Sequence, residues 1–281
     1  MSLHLYGTVR AGHSLKPDLK GLRSGSVRLV EYDDLATVVS EIPDDLELGE
    51  DDARAHLSVL VSLIDGGPVL PMRIGNAAPD EASVRQEFLE PDADYLRQQL
   101  DRFEGLVEVH LDVFDDEETQ LRTIVARDPE LRALSAQLRE GGSFEERMQL
   151  GEQIAARFAE VREEFGNRLL EQLIPLTMEN APRGRSDDER IALRWAFLLP
   201  RKDLPRFDAV VDQLRAEHQA IANMIEIGPL PPFHFVTAPV PAEETPQSAW
   251  GDGTSQSSAW GEGTSQSSTW GEDTSQSTWG R

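Results

Sequence analysis

The stretch Ile-Glu-Ile-Gly-Pro-Leu-Pro-Pro-Phe-His-Phe-Val, residues 225–236, fixes much of its own backbone path through residue type. Two β-prone runs, Met224–Ile227 and Phe233–Val236, flank a turn. Gly228 can adopt a positive φ, whereas each proline holds φ near −65° and has no N–H to donate. The residue before each proline is also pushed toward an extended conformation. We therefore expect a rigid turn between two strands that close a sheet.

Leu230 lies inside this turn and is flanked by Pro229, Pro231 and Pro232. Because the prolines leave few backbone conformations to lose, the segment suits either a tightly packed closing strand or a rigid binding edge. The simpler interpretation is a proline-rich connection before a last strand. Our hypothesis is that Leu230 and Pro232 form a stiff, exposed apolar edge that contacts a partner.

Length and composition indicate a folded protein without a membrane span. The chain has 281 residues, of which 39% are hydrophobic, and this is enough for one large or two small domains. No apolar run approaches the roughly 20 residues that a membrane-spanning helix needs. The first residues lack the pattern of a signal peptide, and the absence of cysteine excludes disulfides and thiolate metal sites. We therefore expect a cytoplasmic protein.

The chain is strongly acidic, since 51 acidic and 27 basic residues give a formal net charge of −24. Nucleic acids and anionic membranes are not expected as partners, because both attract basic surfaces. Only three of the basic residues are lysines. An acidic surface with few lysines is typical of proteins adapted to concentrated salt, where the Debye length falls to about 3 Å. An ordinary acidic protein from a GC-rich genome is the alternative interpretation.

Residues 1–114 predict an α+β domain. The order of elements predicts a mainly antiparallel sheet covered on one face, ferredoxin-like in outline. Apolar residues recur at helical spacing in the helices and alternate in the strands. The predicted elements are a strand at Leu3–Val9, a hairpin of Ser26–Tyr32 and Leu35–Ile42, a helix at Ala53–Ile64, a short strand at Val69–Gly75, a helix that starts at Asp80 and is broken at Pro91, and a strand at Val107–Phe114.

Residues 115–237 predict a second α+β domain with one long helix. Ser143 and Glu146 form a capping box. Apolar residues then keep to one face as far as Leu173, which predicts a helix of about 45 Å. The remaining predicted elements are a helix over residues 115–139 broken near Pro129, a strand at Ile191–Leu199, a helix at Leu204–Ala222 and the strand pair around the turn.

Residues 238–281 differ sharply from the rest in composition. They repeat a Ser/Gln-rich unit with Trp-Gly, and Trp250, Trp260, Trp270 and Trp279 are spaced almost evenly. Because the segment has too few large aliphatic residues to bury, we expect a disordered tail. The spaced tryptophans suit weak multivalent adhesion, and an inert solubilising tail is the alternative.

The sequence predicts no catalytic, cofactor or metal site. The six histidines show no His-X-X-X-His spacing, and neither a phosphate-binding glycine loop nor a Gly-X-Ser-X-Gly elbow is present. His56 and His218 lie on apolar helical faces, where a packed core histidine is the simpler interpretation. Arg73, close to Gly75, indicates either an anion site or a buried arginine that pairs with a core carboxylate.

Two segments resemble the gas vesicle protein family L/F. Residues 69–75, Val-Leu-Pro-Met-Arg-Ile-Gly, match the family pattern Val-Leu-Pro-Leu/Met-Arg-Phe-Gly except at Ile74. Residues 228–236 resemble Gly-Pro-aromatic/Leu-Pro-Pro-Tyr/Phe-Ser-Phe-Val, and His234 stands where the pattern has serine. With weaker matches at the first strand and near residue 197, the resemblance extends by order and spacing over residues 1–237.

The resemblance implies an accessory, minor protein of gas vesicles that acts in nucleation or assembly of the shell and catalyses no reaction. The implied partners are the small hydrophobic shell subunit and other accessory gas vesicle proteins. The length and acidic composition of the chain look most like those of the L-type member of a haloarchaeal gas vesicle cluster. The residues that we predict to bind partners lie in the two matched segments and are Arg73, Gly75, Gly228, Pro229, Leu230, Pro231, Pro232 and Phe233.

Two other functions stay open from the residues alone. An enzyme with an acidic cleft would show a pocket in which histidines and carboxylates of strongly shifted pKa converge. A small-ligand-sensing ferredoxin-like module would show a ligand-dependent rise in melting temperature.

The first prediction concerns salt. Residues 1–237 alone carry 26 basic and 45 acidic residues, a net charge of −19. Dilution from molar to low salt should lower the unfolding midpoint, because the repulsion between these charges is no longer screened. Thermal unfolding followed by circular dichroism at several salt concentrations measures this effect, and an unchanged midpoint would contradict it.

Overall fold

Two antiparallel sheets run through the computed structural model, which describes residues 1–184, 188 and 190–237. The first sheet has the order β2-β3-β1-β4, with β5 also paired to β1, and the second has the order β7-β8-β6-β9. The strands are β1 (Ser2–Arg10), β2 (Arg28–Tyr32), β3 (Leu35–Ile42), β4 (Leu70–Pro71), β5 (Ala77–Ala78), β6 (Leu106–Asp115), β7 (Glu179–Pro182), β8 (Ile191–Pro200) and β9 (Ala222–Leu230).

Helices pack against the faces of both sheets. The α-helices are α1 (Glu50–Leu63), α2 (Glu81–Ser83), α3 (Ala93–Arg102), α4 (Glu117–Arg127), α5 (Pro129–Glu140), α6 (Phe144–Leu173) and α7 (Leu204–His218), and a π-helical turn follows α2 at Val84–Leu89. The α+β fold class with antiparallel sheets and one long helix is confirmed. Within the described part of the chain, every helix is too short or too polar to span a bilayer.

The hydrophobic core consists of three clusters in successive layers. Helix α1 packs on one face of the first sheet, where Tyr6 and Leu60 are buried. The π-helical turn and α3 pack on its other face, and this second cluster continues to Leu198 of β8. Helices α6 and α7 pack on the far face of the second sheet against Val109 and Phe197. The described residues therefore form one compact unit in which both sheets share a core.

Strand β6 corrects the predicted arrangement of the first domain. Its alternating apolar residues predict a strand, and we expected it to complete the first sheet. Instead it is a central strand of the second sheet, paired with β8 on one side and β9 on the other. Alternation reveals which face of a strand is buried but not which strand pairs with it. The boundaries 1–114 and 115–237 stay a prediction, and the tail predicted at residues 238–281 lies outside the described residues.

Helix α6 begins and ends where the sequence indicates. Ser143 accepts a hydrogen bond from the backbone N–H of Glu146, and the Glu146 carboxylate accepts one from the backbone N–H of Ser143. Only the last turns, from Phe165 onward, are buried against the second sheet. Phe144, with 79% of its surface exposed, begins the half that extends away from this core.

The C-terminal stretch, residues 225–236, follows a different path from the one predicted. Strand β9 continues through the cis peptide Gly228–Pro229 to Leu230, which pairs with Glu108. Residues 233–235 form a turn rather than a second strand. The turn is closed by hydrogen bonds to the carbonyls of Pro231 and Pro232. The predicted strand pair is therefore wrong, and so is the predicted exposure of Leu230 and Pro232, since both are buried.

Two buried histidines connect the first sheet to α1. His56 donates from Nε2 to the carbonyl of Met72 at 3.0 Å, and its Nδ1 lies 2.8 Å from Nε2 of His4. This chain of hydrogen bonds fits two neutral rings, and the core position predicted for His56 is confirmed. Burial, together with the neighbouring His56, lowers the pKa of His4 to about 4.

The buried position of Leu230 gives a stability prediction. Leu230→Asp should lower the free energy of unfolding by more than the about 2–5 kcal/mol of a buried leucine truncation, because an unpaired carboxylate enters the core. Phe235→Ala should cost about 3–5 kcal/mol for the same burial reason. Chemical denaturation measures both values.

Ile227→Asp is the matched control, because Ile227 lies in the same strand and is 41% exposed. It should cost about 1 kcal/mol or less. Equal losses for Leu230→Asp and Ile227→Asp would contradict the assigned burial.

His4 gives a pH prediction. The pKa of His4 in the folded state, about 4, lies below the ordinary 6.5. As pH falls from 6.5 to 4, the unfolded chain takes up a proton that the folded chain does not, so stability falls by up to about 1.4 kcal/mol per pH unit. His4→Asn cannot titrate and should show a shallower fall in the free energy of unfolding over this range. Equal slopes for both proteins would contradict the prediction.

Candidate functional site

A groove of about 890 Å³ lies between the two segments that resemble the family patterns. One wall comes from the connection after α1, and the opposite wall comes from the turn after β9. The lining residues from the first segment are Leu70, Pro71, Met72 and Arg73, and those from the second are Phe233, His234 and Val236. Segments about 160 residues apart in the sequence therefore share one surface.

The first wall is held against β1 by close backbone contact. Thr8 pairs with Leu70, and the N–H of Met72 donates to the carbonyl of Tyr6 at 2.9 Å. A Cβ on Gly7 would lie only 2.6 Å from the Leu70 carbonyl oxygen, so glycine is required for this approach. The hydrogen bond from His56 to the Met72 carbonyl also holds this wall.

The second wall is held by side chains of α3. Arg102 donates to the carbonyl of Phe235 at 3.4 Å and also binds both carboxylate oxygens of Glu179 at 2.7 and 2.8 Å. The Tyr95 hydroxyl donates to the carbonyl of Thr237. These contacts fix the turn on α3, and α3 adds Tyr95 and Leu96 to the groove.

A fully buried carboxylate lies behind the second wall. Glu108 on β6 accepts the backbone N–H of His234 at 2.9 Å and faces Nδ1 of the same histidine at 2.6 Å. Nε2 of His110 also bonds to this carboxylate. Burial lowers the pKa of His110 below its ordinary value, whereas the bond to Glu108 acts in the opposite direction.

Charged side chains continue along the same face of β6. Asp112 pairs with Arg183 at 2.7 Å and lies 3.6 Å from Arg194 on β8. Glu108, His110 and Asp112 alternate with the apolar residues of β6, so they occupy the face opposite the α6 and α7 core. This face of β6 therefore carries hydrogen-bonded and ion-paired side chains, of which Glu108 contacts the C-terminal turn.

The structure separates the predicted partner-binding residues into three groups. Arg73 and Phe233 line the groove. Gly75 and Gly228 are exposed outside its lining, and Pro229 is half-buried. Leu230, Pro231 and Pro232 are buried and shape the backbone.

Arg73 does not form the buried ion pair that is one of its two predicted roles. Its side chain is exposed, and within the described residues it forms no ion pair with a core carboxylate. The interpretation as a buried, paired arginine is therefore wrong. Arg73 instead lines the groove.

The cluster of Glu108, His110 and His234 could not be recognised from the sequence. The spacing of Glu108 and His110 places both on one face of a strand, and this is the only local signal. His234 follows 124 residues after His110 and reaches them through the fold. Spacing rules for metal or catalytic motifs do not detect such a set.

Comparison with known proteins gives consistent results. The family model for the gas vesicle synthesis protein GvpL/GvpF matches residues 2–237. Gas vesicle protein F of Streptomyces sp. (strain CB03234) is 32% identical over 241 residues, which cover 84% of this chain and 100% of that protein. The crystal structure of GvpF from Anabaena sp. PCC7120 has a TM-score of 0.73 at 22% identity and covers 85% of this chain and 99% of that one.

GvpF from Microcystis aeruginosa gives a TM-score of 0.67 at 20% identity and covers 83% of this chain and 98% of that one. The two solved structures show the shared fold. These relatives are all named protein F, so the L-type assignment stays a prediction. The family model extends across almost all described residues, and the Streptomyces relative is matched along its whole length. The chain therefore belongs to the gas vesicle synthesis protein family GvpL/GvpF.

Proposed function

We propose that the chain is a non-catalytic accessory protein that takes part in nucleation and assembly of the gas vesicle shell. In this role it binds the shell subunit and other accessory gas vesicle proteins in the cytoplasm. Membership of the GvpL/GvpF family supports a gas vesicle role. The observation that supports binding is the groove, because both segments that resemble the family patterns contribute walls to it.

The composition of the groove suits part of a hydrophobic partner. Leu70, Met72, Phe88, Phe233 and Val236 supply apolar surface. Arg73 and Asp92 place charges of opposite sign at the same groove, which can orient a bound segment. We assign the groove to the shell subunit, whose apolar side chains would be shielded from water there.

The groove can be filled without removing a core side chain. Asn76 is exposed and lines the groove, and its side-chain amide donates to the Arg73 carbonyl at 3.0 Å. Asn76→Trp should lower recovery of a tagged shell subunit by about tenfold in a pull-down from co-expressing cells, equivalent to about 1.4 kcal/mol. Arg73→Glu tests the polar part of the groove in the same assay.

Gln213→Trp on α7 is the matched control, since it adds the same ring at an exposed position away from the groove. This control should recover the shell subunit as well as the unmodified chain does. Circular dichroism should show that all three variants are folded. If Asn76→Trp and Gln213→Trp recover equal amounts, the groove does not bind the shell subunit.

A further inference from the structure

Three side chains that can bind a metal ion converge where β6 meets the turn after β9. Glu108 Oε1, His110 Nε2 and His234 Nδ1 all lie within 4.8 Å of one another. His110 and His234 approach edge to face, with ring centroids 4.9 Å apart. Glu108 and His110 are two residues apart on one strand face, and the proline-stiffened turn brings His234 over them.

The cluster places a carboxylate in a buried position. The Glu108 carboxylate has 0% of its surface exposed. The nearby guanidinium of Arg183 is already paired with Asp112 at 2.7 Å. A buried carboxylate is stabilised by a cation with direct coordination or hydrogen bonds. Two imidazoles already point their ring nitrogens at the same oxygen, and a bound ion would replace the protons that these nitrogens donate to it.

We propose that Glu108, His110 and His234 bind one divalent transition metal ion, with Zn²⁺ as the best match to two imidazoles and one carboxylate. Such ligands hold Zn²⁺ at about 2.0–2.2 Å. Tetrahedral ligands at that radius lie about 3.3 Å apart, so the 2.6 Å between Glu108 and His234 must widen by about 0.7 Å. A ligand pair at the 4.8 Å limit must close by about 1.5 Å. Side-chain rotation of His234, which is part-exposed, allows changes of this size.

The cluster borders the groove through His234. Three protein ligands leave tetrahedral Zn²⁺ with one site for water or for a ligand from a partner. His234 lines the groove and about a third of its side chain is exposed, so the ion is reached from that side. The metal site is additional to the proposed assembly role and does not depend on it.

The experiment uses the full-length chain, stripped with EDTA and titrated with ZnCl₂ by isothermal calorimetry in molar salt. A background of Mg²⁺ occupies the many surface carboxylates, because Mg²⁺ prefers oxygen ligands and competes poorly for imidazole. The unmodified chain should bind one Zn²⁺. X-ray absorption of the loaded protein should show two imidazole ligands.

His234→Ser is the decisive variant, because serine is the residue of the family pattern at this position and should preserve the fold. It should weaken Zn²⁺ binding by at least about tenfold, since even outer-shell changes cost 10- to 100-fold. His110→Gln should act in the same direction. His218→Ser removes a histidine that packs on Phe165 away from the cluster and should leave the affinity unchanged.

Two results would overturn the proposal. One is the absence of a one-to-one Zn²⁺ site above the Mg²⁺ background in the unmodified chain. The other is an affinity in His234→Ser equal to that of the unmodified chain. The pull-down of the shell subunit is carried out with metal-free protein. Failure of the metal site and failure of the groove can therefore be distinguished.

Discussion

The burial of one carboxylate determines how the C-terminal segment is placed. Glu108 lies in the middle of the second sheet with no exposed surface, and a charge in that position requires hydrogen-bond donors. Two donors come from His234, one from its backbone and one from its ring. The chain after β9 must therefore return over β6 rather than extend away from it. This return forms one wall of the groove.

The local elements could be predicted because their signals are local. The Ser143 and Glu146 capping box and the cap at Asp80 depend on residues three positions apart, and both are present. The hairpin at Asp33 is also present, with φ of +52° at that aspartate. Each feature is decided by the backbone groups of one turn, so distant parts of the chain have little influence on it.

Features that depend on distant contacts could not be predicted in the same way. Strand β6 was recognised as a strand, but its partners β8 and β9 follow it by more than 60 residues. The β-prone run at residues 233–236 became a turn because hydrogen bonds to Pro231 and Glu108 replaced strand pairing. The alternation of β6 placed Glu108 and His110 on one face, but the identity of the third side chain required the fold.

Pro231 and Pro232, which belong to a segment that resembles the family pattern, are buried and therefore have a structural role. Leu230, Pro231 and Pro232 contact the core, and Gly7 permits the backbone approach on the opposite side. These residues fix the path of the groove walls rather than its chemistry. A rigid wall loses little conformational freedom when a partner binds, so the fixed backbone contributes to binding without touching the partner. The chemistry of the groove then depends on the few side chains that its walls present, among them Arg73 and His234.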